Sequence, residues 1–577
     1  MKKLLAVLLG GVVLIGPLSS ISAADNPDEH WTPIAAPQGE GWRSLYIGDN
    51  TTLNREPSTL YAEEDRIGNT NPVSYHCATV DSEKCVELKR IQASAFLQPC
   101  SIEIPTNCIE SFYAIDISGN RIDALSPVNY PTASKWDYQG NDSLNLPTGG
   151  TPTVWSIPGV AHGGGNSNYM VQAFTVSGLS KPAKSKITAE RFTLERLVVN
   201  VVPVSLVTGR YAENVAVDYT ESPEKTPRGV IHNSIDEWRY CAMVADGTCQ
   251  KRQAFPEDVR FGVKIKLQQK ISGWLHGRVY NPDATIITSP SNSQTIEVVA
   301  LPIRVPIVGE WYRWQDLTPE IQKYILDGKV IGGQGYFTTK NQANGNFQEM
   351  VGTSGQQSFD ALSLWLPQIK DRASANPSTW TFYNLGDWEL AEASRCISGS
   401  TDLVGMVTTN ASVYAAGTPS FNAANQSLDY KVMAPHYTSK GEVFKGTYDL
   451  RIRSEVARCI YGFSAAPIKA SISVLSEDGT LQRATQTVNE DKGWLSLSAN
   501  GFSYSSPTIQ VLLTQSDQGP TPTPEMTTQA TPAPTAPQLS AAKRTITCIK
   551  AKGSSSVRKK VVAYKPSCPK GYRQAAT

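Results

Sequence analysis

Between Val259 and Leu267 the chain alternates: Val259, Phe261, Val263, Ile265 and Leu267 are separated by Arg260, Gly262, Lys264 and Lys266. A period of two gives a strand one apolar and one charged face, so the segment predicts a half-buried β-strand. The alternation recurs at Tyr448, Leu450 and Ile452, and at Ile468, Ala470, Ile472 and Val474. Trp494, Leu495 and Leu497, then Ile509, Val511 and Leu513, complete a sandwich-like set. Further strands are predicted at Phe112–Asp116, ending in the turn Ser118-Gly119-Asn120, at Tyr169–Thr175, and at Thr295–Val308. Phe192–Val207 reads as a mostly buried strand in which Pro203 marks an edge or a bulge.

A helical period shows only between 311 and 395. Thr318-Pro319-Glu320 has the form of an N-cap followed by proline at the first helical position, with Ile321, Tyr324 and Ile325 on one face and Gly328 as the stop. Ser358–Ala373 predicts a second helix with Phe359, Leu362, Leu366 and Ile369 on one side, kinked or split at Pro367.

These patterns predict a mainly β protein, with several antiparallel β-sandwich-like domains in tandem and one small mixed α+β segment. The expected order is a signal peptide (1–24), a disulfide-containing β-rich domain (25–190), a β-sandwich-like domain (191–310), the mixed segment (311–395) and a second sandwich-like domain (396–515). A Pro/Thr-rich stretch (516–540) then reads as a disordered, extended linker, and 541–577 as a small basic module stapled by a disulfide. The leader has Lys2 and Lys3 at its start, an apolar run from Leu4 to Leu18, and small residues for cleavage after Ala23 or Ala24. That run is short for a membrane span, and no later run is long enough, so no transmembrane span is expected in the mature chain.

Ten cysteines follow the leader, an even number that suits an oxidising compartment. Spacing suggests Cys77–Cys85, Cys100–Cys108, Cys241–Cys249, Cys396–Cys459 and Cys548–Cys568. Cys241 and Cys249 flank Asp246-Gly247, a tight-turn pair, as a bridge across a hairpin would. Cys77-Ala-Thr-Val and Cys241-Ala-Met-Val each begin a stretch with seven residues between cysteines. One hairpin device used twice and chance similarity explain this equally well. No Cys-x2-Cys pair occurs, so neither a metal site nor a cofactor is predicted.

The net charge of +1 conceals an asymmetry. Residues 541–577 carry ten Lys or Arg and no acid, and Lys2 and Lys3 add two more charges, which leaves 25–540 at −11. An acidic body argues against nucleic-acid binding. The tail offers a candidate basic patch, Lys550, Lys552, Arg558, Lys559, Lys560, Lys565 and Lys570. Its expected partner is an anionic cell-envelope polymer or surface polysaccharide; a merely solubilising tail is the plainer alternative.

Tyr240-Cys241, Asp246-Gly247 and Cys249, then Gly273-Trp274-Leu275-His276-Gly277-Arg278, Arg458-Cys459-Ile460-Tyr461-Gly462-Phe463 and Gly493-Trp494-Leu495, resemble a pattern in large uncharacterised secreted proteins of actinobacteria. The Thr-Pro linker and the ending Ile546-Thr547-Cys548 to Cys568-Pro569-Lys570-Gly571-Tyr572 are similar to the tail of many such proteins. The resemblance implies export and a surface role. It carries no activity and no catalytic residues.

Direct signs of catalysis are few. None of the six histidines sits in a nucleophile or metal motif, and Ser222-Pro223-Glu224-Lys225 reads as a turn. His276 is the most interesting; its plainer reading is a strand-end histidine bonded to backbone. Asp387-Trp388-Glu389 would bring two carboxylates to one face of a strand beside an aromatic, as glycoside hydrolysis requires, but one triplet is weak evidence and a solvated strand edge with Trp388 turned into the core is the preferred reading. Aromatics exposed on a sheet can hold sugars, but for the cluster Trp311, Tyr312 and Trp314 core packing is the default expectation. The sequence therefore points to an exported surface protein without enzymatic activity, structural or adhesive in role. The alternative is a secreted polysaccharide hydrolase or a carbohydrate-binding protein.

Overall fold

The computed structural model describes residues 74–213, 240–329 and 345–464 without a break, with shorter stretches from 27 to 63, at 215–216, 230–231 and 333–335, and between 468 and 515 and between 544 and 574. Strands account for 49% and helices for 11%, so the fold is mainly β, as the alternation predicts. The chain divides into two compact units, Met1–Ser516 and Asp517–Thr577.

The larger unit contains the strands β1 (Trp42–Ile47), β2 (Thr59–Glu63), β3 (Arg90–Phe96), β4 (Cys108–Ile115), β5 (Asn168–Ser180) and β6 (Thr193–Thr208). Next are β7 (Cys241–Ala245), β8 (Thr248–Arg252), β9 (Arg260–Leu267), β10 (Gly273–Arg278), β11 (Tyr280–Thr288) and β12 (Gln294–Leu301). Then come β13 (Trp311–Arg313), helix α1 (Pro319–Leu326), β14 (Phe347–Val351), helix α2 (Gln356–Trp365) and β15 (Ser378–Asn384). The last part holds the short helix α3 (Arg395–Ser398), β16 (Leu403–Thr409), β17 (Ser427–Met433), β18 (Gly446–Arg453) and helix α4 (Ser454–Tyr461). It ends with β19 (Ile468–Leu475), β20 (Thr485–Asp491), β21 (Trp494–Phe502) and β22 (Thr508–Gln515).

One long sheet runs β2-β3-β5-β6-β15-β10-β16-β18-β21-β20, beyond a short first strand at Ser74–His76. Neighbours along it are antiparallel except β10 and β16, which are parallel. A second sheet, β11-β12-β9-β4, stacks on the first. Phe261, Val263 and Ile265 of β9 share a core with Val199, Leu275 and Trp380 of the long sheet. A third sheet containing β17, β22 and β19 covers the far end, where Leu450 and Leu497 meet Tyr430, Ile472 and Val511. Both pairs are sandwiches of the predicted kind. Helices α1 and α2 lie against a small sheet of β13, β1 and β14, with Ile321, Ile325, Phe359 and Leu362 on Leu45 and Ile47.

The segments drawn on the sequence at 25–190, 191–310, 311–395 and 396–515 do not each own a sheet. β6 pairs with β5 on one side and with β15 on the other, and β10 lies between β15 and β16, so strands from all four segments interleave. Alternation shows that a strand has a face to bury; it does not name the strand's neighbour. The interleaving also explains why every residue of β10, β15 and β16 is buried: these strands are covered on both faces and show no clean period of two.

Pro203 is neither at an edge nor at a bulge. It pairs with Tyr169 in a central strand. On the other side of β6, β15 pairs with residues 198–201 and β8 with 204–208. The Pro203 carbonyl accepts from Gln253 N on that side, so the proline stands where the neighbouring strand changes and a missing N–H interrupts no ladder.

The helices follow their caps. Thr318 Oγ1 accepts from Ile321 N at 3.3 Å, Pro319 opens α1, and Gly328 has φ +68° beyond its end. The second helix starts at Gln356 and its last residue is Trp365, so Pro367 ends it and does not lie inside it.

Candidate functional site

Four of the five expected disulfides are present: Cys77–Cys85, Cys100–Cys108, Cys241–Cys249 and Cys396–Cys459. Cys568 is also disulfide-bonded, while the side chain of Cys548 lies outside the described residues. Cys241–Cys249 crosses the β7–β8 hairpin, with Gly247 at φ +74° in its turn. Cys77–Cys85 instead closes a loop onto a short helix at Glu83–Glu87, so the likeness of the two cysteine segments is not a repeated hairpin. Cys396–Cys459 ties helix α3 to helix α4, not strand to strand.

In the smaller unit, Arg544–Lys552 and Ser555–Ala563 form an antiparallel hairpin, and Arg573–Gln574 pairs with the first of them. Its register sets Cys548 opposite Lys559, Thr547 opposite Lys560, Ile549 opposite Arg558 and Lys550 opposite Val557. Lys552 is at the hairpin end, opposite Ser555, while Lys565 and Lys570 lie outside the described residues.

The sequence candidates for chemistry resolve differently. Asp387 and Glu389 share one helical turn, Asp387–Leu390, and do not lie on a strand. Glu389 accepts from Gly386 N at 2.9 Å, so it caps its own helix, and burial pushes its carboxyl up. His276 is in mid-strand and not at a strand end; it is fully buried, and neither ring nitrogen has a hydrogen-bond partner among the described residues. Tyr312 and Trp314 pack against the helical core, with Tyr312 Oη donating to Glu310 and to the Gln368 carbonyl. Ser222–Lys225 lies outside the described residues.

A groove that no motif announced lies between the start of β11 and the outer face of β18, β21 and β20. Its volume is about 410 Å³. The chain leaves the long sheet at Arg278 and enters the second sheet at Tyr280, with Asn281 at φ +48° in the bend. Asp449 of β18 holds that bend. Its Oδ2 accepts from Asn281 N at 2.9 Å and from Thr408 Oγ1 at 3.1 Å, and its Oδ1 accepts from Ser498 Oγ. Burial raises the Asp449 carboxyl against the pull of these donors and of Arg260. Both oxygens are thus committed to the fold.

One residue pair along, Arg451 Nη1 meets Asp283 at 2.7 Å, and its guanidinium lies 5.6 Å from the Trp494 ring centre. Register then extends the polar face. Asp449 stands opposite Ser498, and Ser498 opposite Thr487; Arg451 stands opposite Ser496, and Ser496 opposite Asn489. Between them Leu450, Leu497 and Ile452 point the other way into the core. The sequence signal was present: Thr487, Asn489 and Asp491 alternate on one strand as Ser496, Ser498 and Asn500 do on the next. It lacked the third strand, which only the fold supplies.

No protein-family model matches the chain, and no curated protein matches it. Among the described residues, no helix is long and apolar enough to cross a membrane, and no three His, Cys, Asp or Glu side chains are grouped to hold a metal ion.

Proposed function

We propose that the protein is exported and serves at the cell surface as a non-catalytic, structural or adhesive scaffold, attached by residues 541–577 to an anionic envelope polymer or surface polysaccharide. One observation carries this reading. The basic residues of the tail belong to a separate compact unit with its own three-stranded sheet, Arg558, Lys559 and Lys560 lying on one strand of its hairpin. Residues 541–577 carry ten cationic residues and no acid and so attract a polyanion, and the Pro/Thr-rich composition of 516–540 suits a spacer. The four disulfides of the larger unit support an oxidising environment.

The test compares the full chain with one ending at Ser540 on purified envelopes. The full chain is retained at low salt and eluted as salt rises, because screening shortens the reach of its charges. The shortened chain is not retained. Equal retention of the two chains would refute the attachment role.

A further inference from the structure

We infer that the groove between β11 and the β18–β21–β20 face binds a neutral polyhydroxylated ligand, a stretch of saccharide chain. This site is in the larger unit and stands independently of the attachment proposed for the tail.

Three observations lead there. The first is the grid of polar side chains. Two rows, Asp449–Ser498–Thr487 and Arg451–Ser496–Asn489, cross three adjacent strands. Rows on one face repeat every second residue, roughly 7 Å along the strand, and neighbours within a row are about 4.8 Å apart. Asp449 is committed to the bend; the rest of the grid presents hydroxyl, amide and guanidinium groups at regular intervals, suited to a repeating ligand rather than to a single anchor.

The second is charge. Asp283 is paired with Arg451, and the Asp449 carboxyl is shielded within the bend. Positive and negative groups nearly balance, so the groove holds no strong field for an anion or a cation. Saccharide hydroxyls, which both donate and accept, match carboxylate, guanidinium, amide and hydroxyl partners alike.

The third is the size and polarity of the space. At about 410 Å³ the space is of ligand size, while its lining is more polar than that of sites for apolar molecules. Asp449 has both oxygens engaged, which favours holding a saccharide over cleaving it.

The experiment is calorimetric titration of the full mature chain at high salt, where the tail's electrostatics are screened. The probes are neutral hexasaccharides of glucose, mannose and galactose, with a hexauronate as the charged comparison. At least one neutral probe should bind. Asn489→Ala with Ser496→Ala should weaken that binding roughly tenfold or more, since hydrogen bonds are lost without disturbing the core. Thr487→Val, which keeps the shape and removes a hydroxyl, should weaken it severalfold. Unchanged thermal midpoints confirm that the variants fold, and the chain ending at Ser540 should bind as the full chain does. Failure of every neutral probe, preference for the hexauronate, or unaltered binding by the folded double variant would each overturn the proposal.

Discussion

His276 lies flat against Tyr414, with ring centroids 4.2 Å apart and planes 12° from parallel. Tyr383, opposite His276 on β15, is 5.2 Å away, and its hydroxyl meets that of Tyr414 at 2.7 Å. Two residues along β10, Arg278 lies 4.5 Å from the Tyr414 ring centre and donates to the carbonyls of Thr409 and Ala411. The imidazole is thus enclosed among aromatic rings beside a fixed cation.

That enclosure sets a pH dependence. Burial first, and the charge of Arg278 second, hold the His276 imidazole well below its ordinary value. The unfolded chain therefore takes up a proton that the folded chain refuses. Stability is complete above about pH 6.5 and falls as pH drops below it. His276→Phe should flatten that fall in urea unfolding measured across pH. Some slope should remain, because burial shifts His162 in the same direction. An unchanged profile would show that the imidazole is not the sensitive group.

The disulfides should differ in weight. Cys396 and Cys459 are 63 positions apart, and Cys241 and Cys249 only 8. In the chain-entropy account, replacing both cysteines by serine costs about 4 kcal/mol for the long loop and about 2.5 kcal/mol for the short one. Urea midpoints of the two double variants should keep that order. The reverse order would mean that local packing at the hairpin, not loop closure, dominates.

Gly405 on β16 is the base on which Trp274 rests. A Cβ at this position would fall among the ring atoms of Trp274, whose side chain is fully buried. Gly405→Ala should therefore destabilise the larger unit by about 3 kcal/mol, the upper end for overpacking. Chemical denaturation would measure this. A neutral effect would mean that the indole can move aside.

Much of the local structure was legible because the physics that sets it is local. Phe261, Val263, Ile265 and Leu267 declared a buried face by their spacing, and all four are buried. Thr318, Pro319 and Gly328 declared a helix by satisfying its ends. Cys241 and Cys249 declared their bridge by flanking a glycine that turns freely. Asp387 and Glu389 misled because a triplet does not distinguish one helical turn from a strand, and the bond from Gly386 N to Glu389 settles for the turn.

By itself, then, the sequence determined that strands dominate, where many of them run, where the helical segment interrupts them, and which cysteines are near enough to pair. Only the tertiary structure decided who neighbours whom: that β15 enters the long sheet between β6 and β10, that Asp449 secures the bend at Asn281, and that three strands bring six polar side chains to one groove. The reason is physical. Alternation and capping depend on residues a few positions apart, whereas pairing is chosen among strands that are equally able to bond by burial and packing contributed from across the whole chain.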